Sequence, residues 1–404
     1  MVDPCWARVC GPLAPYVEGL RGELERLGYT PLSAAGHVRL VAHLSRWMVR
    51  HSLPVSALTP ATVDAYFAER CAAGYHNSLT ARSLRPLLDY LQELRAVAAP
   101  GPVPVTSPCE RLLGRYRDYL LAECGLAAST VELNVRMVLP FLADHVRAED
   151  GQLELARLSA GEVGTFVVAR SRERPRSVGR LVTGLRSLLR FLHVDGVIDR
   201  PLAEAVPSVA SWSLSSLPKA LGSDQVAALL TSCDRATATG CRDFAILTLL
   251  VRLGLRAGEV AALALDDIDW RHGEITVRGK GRRHDRLPLP GDVGQAMVDY
   301  LRGARPRKAQ GRTVFVRAQA PYRALTSNAV TTVVANAGRR AGLGLIGAHR
   351  LRHTAATTLL HAGGSLSEIG QVLRHRRMLT TAIYAKVDRQ ALRRVARPWP
   401  GDAV

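Results

Sequence analysis

Apolar residues recur every three to four positions along most of the chain, as at Leu185, Leu188, Leu189 and Leu192, the spacing that lines one face of an α-helix. Two Pro, Gly and Ser-rich stretches interrupt this rhythm, AAPGPVPVTSP from Ala98 to Pro108 and VPSVASWSLSSLP from Val206 to Pro218. They divide the chain into three blocks. The first two resemble each other: Gly28–Leu44 aligns with Gly125–Phe141, Leu58–Phe67 with Leu158–Val167, and Leu84–Leu91 with Leu185–Leu192, at offsets of 97, 100 and 101. This pattern predicts a duplicated module of about four amphipathic helices, with Thr59 and Ser159 capping corresponding helices.

The third block opens with helical patterning at Ser223–Cys233, where Ser223 is the expected N-cap, and at Cys241–Leu255. DIDW, EITVRG and HDRLPLP then alternate as strands do, and the turns between them predict a small antiparallel meander with Lys280 at a hairpin tip. Helical periodicity resumes until Pro398. The predicted fold is mainly α with a small antiparallel β-meander: two helical-bundle modules followed by a mixed α+β domain. Its boundaries are 1–100, a linker at 101–108, 109–205, a linker at 206–218, and 219–404.

With 404 residues, 47% of them hydrophobic, the chain has enough apolar surface for several cores, which argues against disorder. No apolar run approaches the roughly 20 residues that cross a bilayer, and the start lacks a basic and apolar leader pattern, so a soluble, cytoplasmic, nucleoid-associated protein with no membrane partner is expected. Seven scattered cysteines without CxxC spacing predict neither a disulfide framework nor a zinc site. Charge changes the picture more. The net charge is +19, and residues from Val206 onward hold +16 of it, so the third block is where contact with a polyanion is expected. Only four of the 54 basic residues are lysines, which singles out Lys280.

Four stretches carry candidate chemistry: GLRAGEV (Gly254–Val260), RGKGRR (Arg278–Arg283), HRLRHTAAT (His349–Thr357) and VLRHRRMLTTAIYAK (Val372–Lys386). In this order and spacing they resemble the tyrosine recombinase (phage integrase) family over about residues 218–395, and residues 108–205 are similar, less closely, to that family's helical core-binding domain. Cleaving a phosphodiester needs a nucleophile, cations for the charge that grows on the nonbridging oxygens, and an acid for the leaving oxygen. Arg256 offers a planar fork of donors to phosphate, with Glu259 three residues on to orient it, and His349 and Arg352 share a helix face as a second clamp. His353, next in sequence to Arg352, is expected to face elsewhere and to be structural.

The resemblance implies further roles: His349 as hydrogen-bond donor or general base, His375 as the third phosphate contact, Lys280 as the acid that protonates the 5′-oxygen, and Tyr384 as the nucleophile of a 3′-phosphotyrosyl link. Neighbouring cations are expected to favour the Tyr384 oxyanion. Arg278, Arg282, Arg283 and Arg286 are expected to hold the DNA backbone or read a groove. A glycine commonly precedes the family's third-position histidine, whereas this chain has Arg374, which is itself placed to reach a phosphate.

No P-loop is present, and Asp266, Asp267 and Asp269 read as turn residues, so neither metal nor cofactor is expected. The implied function is site-specific recombination, integration or transposition on double-stranded DNA. The alternatives are relaxation of the type IB topoisomerase kind, or a regulator that has lost catalysis. Ala391, Leu392 and Val395 in the tail from Val387 to Trp399 form a short apolar stripe that favours packing onto a neighbouring copy, as a dimer to tetramer on DNA, with related recombinases or accessory proteins as further partners.

Overall fold

Helices begin where the sequence supplies a side-chain oxygen for an unpaired backbone N–H. The hydroxyls of Thr30, Thr59, Ser107 and Ser159 accept from Ser33, Thr62, Glu110 and Glu162, and Pro31, Pro60 and Pro108 occupy first helical positions, where a missing N–H costs nothing. The computed structural model describes residues 7–77, 80–98, 107–147, 152–175, 177–208, 220–279, 284–375 and 378–387. The chain divides into two units, Met1–Ala99 with Ser216–Val404, and Pro100–Ser215.

The smaller unit holds α5 (Pro108–Asp118), α6 (Ala128–Ala143), α7 (Ala160–Glu173) and α8 (Val178–Val194), numbered in chain order after the four helices of the other unit. α8 is its spine: Leu181, Leu185, Leu188, Leu189 and Leu192 turn one face onto Val135, Val138 and Phe141 of α6. Burying each leucine in full contributes roughly 1.5–3 kcal/mol.

The larger unit starts with α1 (Val17–Arg26), α2 (Pro31–Arg50), α3 (Pro60–Ala72) and α4 (Ala81–Glu93), which enclose a core of their own around Leu20, Val38, Leu44, Phe67 and Leu87. α1–α4 and α5–α8 are each four helices in succession over the two blocks aligned in the sequence. In the larger unit α1–α4 also meet residues 308–323, where the Tyr322 hydroxyl donates to the Gly28 carbonyl at 3.2 Å and Arg323 pairs with Asp89 at 3.1 Å. Gly28 is required there, because a Cβ would stand 2.2 Å from the Tyr322 ring and the backbone lies at φ +86°.

The remainder of the larger unit comprises α9 (Ser223–Thr231), α10 (Ala238–Leu253), α11 (Ala257–Ala262), strands β1 (Ile268–Asp269), β2 (Glu274–Arg278) and β3 (His284–Pro288), then α12 (Gly291–Asp299), α13 (Ser327–Arg340), α14 (Ala348–His361), α15 (Leu366–Val372) and α16 (Met378–Ala382). Apolar residues on almost every side of α10 make it the centre of this core. The strands form the predicted meander in the order β1-β2-β3, antiparallel throughout, with Arg278 opposite His284. The N-cap of α9 is Gly222 rather than Ser223; the Gly222 N–H donates to the Gln225 side chain at 3.2 Å, so the helix starts one residue earlier than its serine suggests.

Candidate active site

α10 stops because Gly254 turns left-handed at φ +58°. A Cβ there would lie 2.6 Å from the Leu373 side chain, and the Gly254 carbonyl accepts from Arg352 Nη1 at 2.6 Å. This turn delivers Arg256 to the start of α11. Its N–H donates to Glu259 Oε2 at 2.8 Å and its Nη1 to Oε1 at 2.6 Å, while 44% of its side chain stays exposed. Glu259 thus holds both the backbone and the guanidinium of Arg256. Burial raises the Glu259 carboxyl, but the Arg256 N–H and the Arg374 and Arg256 charges outweigh it and leave the group below the usual carboxylate range.

α14 places His349 and Arg352 on one side of a cleft of about 700 Å³, and Arg256, Glu259, Arg278 and Ser327 line the rest. Arg352 is 2% exposed and is held by the carbonyls of Gly254 and Leu373. Burial, Arg256 and Arg374 lower its guanidinium to about 10, so it remains charged at neutral pH. Two guanidiniums and an imidazole therefore share one opening, and the carboxylate beside them is already engaged. Such a site suits a phosphodiester, whose negative charge has no other acceptor to compete with.

Tyr384 lies in the single turn Ile383–Val387 and is 1% exposed. The His375 ring stacks parallel to it with centroids 6.5 Å apart, while His375 Nδ1 is 2.7 Å from the Thr381 hydroxyl. Burial raises the Tyr384 phenol above its ordinary value against the opposing pull of Arg352, so the expected gain from neighbouring cations is outweighed. Burial and nearby positive charge also hold His353 and His375 down to about 4, and lower His349.

Two sequence expectations are corrected here. His353 does not face away: its Nδ1 lies 2.9 Å from the Tyr384 hydroxyl, and its ring packs edge-on against His349 with centroids 4.5 Å apart. The signal was present, since His353 is four residues from His349 and four residues along a helix return to the same face. Arg374 does not reach outward for a phosphate, because its guanidinium is buried on Glu259 at 2.8 Å. Arg278 lies at the cleft while pairing with Asp267 at 2.8 Å, and Arg286 is exposed near Glu274. Asp267 also accepts from the Ala264 N–H and Asp269 from the Arg271 and His272 N–H groups, the turn roles expected of them. Lys280, Arg282, Arg283 and the tail after Val387 lie outside the described residues.

Residues 219–391 match the phage integrase family. A putative integrase/recombinase of Sinorhizobium fredii, y4rA, is 41% identical over 399 residues, covering 97% of this chain and 96% of that protein. The chain belongs to the phage integrase family, the tyrosine recombinases. This recombinase is also 31% identical to the tyrosine recombinase XerD of Listeria innocua, over 70% of its own length and 96% of the relative's. Solved structures of similar fold include the XerH site-specific recombinase in a post-cleavage complex with difH, with a TM-score of 0.56 at 18% identity over 82% of this chain and 93% of that one. A λ integrase dimer on a core site aligns with a TM-score of 0.53 at 17% identity, covering 73% of the recombinase and 98% of the integrase chain.

Proposed function

We propose that this recombinase cuts and rejoins double-stranded DNA at a specific site, with Tyr384 as nucleophile and the strand held as a 3′-phosphotyrosyl link. The observation that carries the reading is the convergence of Arg256, His349 and Arg352 on one cleft, with Tyr384 bonded to the same helix through His353. Arg256 and Arg352 neutralise the nonbridging oxygens. His349 donates to them, and His375 takes the third contact once Tyr384 and its turn present the phenol to the phosphate. Lys280 protonates the departing 5′-oxygen. The link conserves the energy of the broken ester, so attack by a new 5′-hydroxyl needs no nucleotide.

The duplicated helices α1–α4 and α5–α8 serve as DNA clamps flanking the linker, the tail joins copies in a dimer to tetramer synapse, and the exchange belongs to a mobile element. Similarity to a putative integrase/recombinase over 96% of that protein's length supports this over a relaxing enzyme or a silent regulator, as does the intact set of family positions. The test is strand exchange between two duplexes bearing the site recovered from DNA trapped on the protein in cells. Exchange is expected in excess EDTA without nucleotide, because guanidiniums do the work of a metal. Loss in EDTA with recovery on adding magnesium would contradict it.

A further inference from the structure

We infer that His353 is the general base of strand cleavage: its Nδ1 accepts the phenolic proton of Tyr384 as the Tyr384 oxygen attacks phosphorus. This deepens the proposed function and rests on Tyr384 being the nucleophile. In the step, an O–P bond to Tyr384 forms, the P–O5′ bond breaks, the phenolic proton moves to His353, and the leaving oxygen takes a proton from Lys280. Religation reverses each transfer.

Geometry carries the assignment. Among the described residues, His353 is the side chain hydrogen-bonded to the Tyr384 hydroxyl, at 2.9 Å, within the reach a general base requires. His349, four residues earlier, instead lines the cleft with Arg256 and Arg352, where an imidazole N–H serves the phosphate. The two histidines of α14 thus divide the labour: one faces the phosphate, its neighbour faces the nucleophile.

The surroundings make this base dependent on substrate. His349 and Arg352 face His353 along α14, Tyr384 faces it from the turn after α16, and His375 lies across the Tyr384 ring; Arg256 and Arg374 add positive charge next to Arg352. Without DNA, burial, His349 and Arg352 keep His353 neutral, with its lone pair free to accept the phenol. A phosphodiester in the cleft brings negative charge to His349 and Arg352, offsets their repulsion, and raises the proton affinity of His353 when the proton must be taken.

The test measures single-turnover adduct formation on a nicked suicide duplex carrying the recovered site, across a pH series, with melting and DNA affinity as controls. His353→Asn keeps an acceptor near the Nδ1 position but cannot take a proton; His353→Gln, with a different reach, is run in parallel. Each is expected to cleave about 100-fold or more slowly at neutral pH, with unchanged DNA affinity and a rate that climbs with pH. Replacing Tyr384 by 3,5-difluorotyrosine, a more acidic phenol, is expected to restore most of the loss in the His353 variants and little of it in His349→Asn. In the otherwise unaltered chain, the same replacement should leave the midpoint of the acid limb in place, because that limb belongs to His353.

Near-normal cleavage by both His353 variants, a slow rate without fluorotyrosine rescue, or an acid limb that moves down with the phenol would overturn the assignment. Absence of any Tyr384 adduct in the unaltered chain would instead overturn the proposed function itself, and it shows before any variant is made.

Discussion

Arg374 occupies the left-handed backbone region at φ +56°, where a β-carbon costs roughly 1–2 kcal/mol. It persists because the turn that ends α15 aims its guanidinium at buried Glu259, while its Nη1 donates to the Val372 carbonyl at 3.0 Å. Arginine here supports the carboxylate that orients Arg256, in place of the glycine that makes such a turn without strain. Two substitutions separate these effects. Arg374→Ala removes the ion pair and keeps the strain, whereas Arg374→Gly removes both, so both are expected to be less stable than the parent, with the glycine variant about 1 kcal/mol above the alanine one. Urea unfolding measures the difference. An alanine variant as stable as the glycine variant would show that the turn stores no strain.

At the scale of elements, α14 gathers the site because its sequence returns His349, Arg352 and His353 to neighbouring directions within little more than one turn. Its cost is that imidazoles are buried, and buried beside positive charge. His353 and His375 sit near 4, against an ordinary value of about 6.5, so between those values the unfolded chain binds more protons than the folded one. Stability from these two groups is therefore complete above about pH 6.5 and lost progressively as pH falls toward about 4. The urea midpoint is expected to fall over that window, and to fall less in His353→Asn and in His375→Asn than in the parent. Equal slopes in all three proteins would mean that the folded histidines titrate normally.

Much of the cleft was legible in the sequence, since Arg256 and Glu259 of the α11 start and His349 and Arg352 of α14 follow from spacing and donor chemistry and do meet there. The strands were legible too, because alternation and turn residues act locally. His353 was misread by weighing its adjacency to Arg352 over its four-residue step from His349. The balance at Tyr384 could not be read at all: burial depends on how α14, α15 and the last turn close around the ring, which no local pattern encodes.

Across the whole molecule, hydrophobic periodicity reveals which faces are buried but not which polar surfaces meet afterwards. The proposed repeat rests on aligned apolar and capping positions in the sequence. The contact between α1–α4 and residues 308–323 was not, because Tyr322 and Gly28 stand 294 residues apart and their polar bond leaves no periodic trace. Charge, by contrast, is a property of the whole sequence, and the excess of +16 from Val206 onward coincides with the portion that holds the cleft. All of this converges on one covalent bond. Protein–DNA adducts trapped in cells expressing the recombinase, digested with nuclease and protease and mapped by mass spectrometry, are expected to carry a nucleotide on Tyr384 and to vanish in Tyr384→Phe. A nucleotide on any other residue, or adducts that persist in Tyr384→Phe, would contradict that assignment.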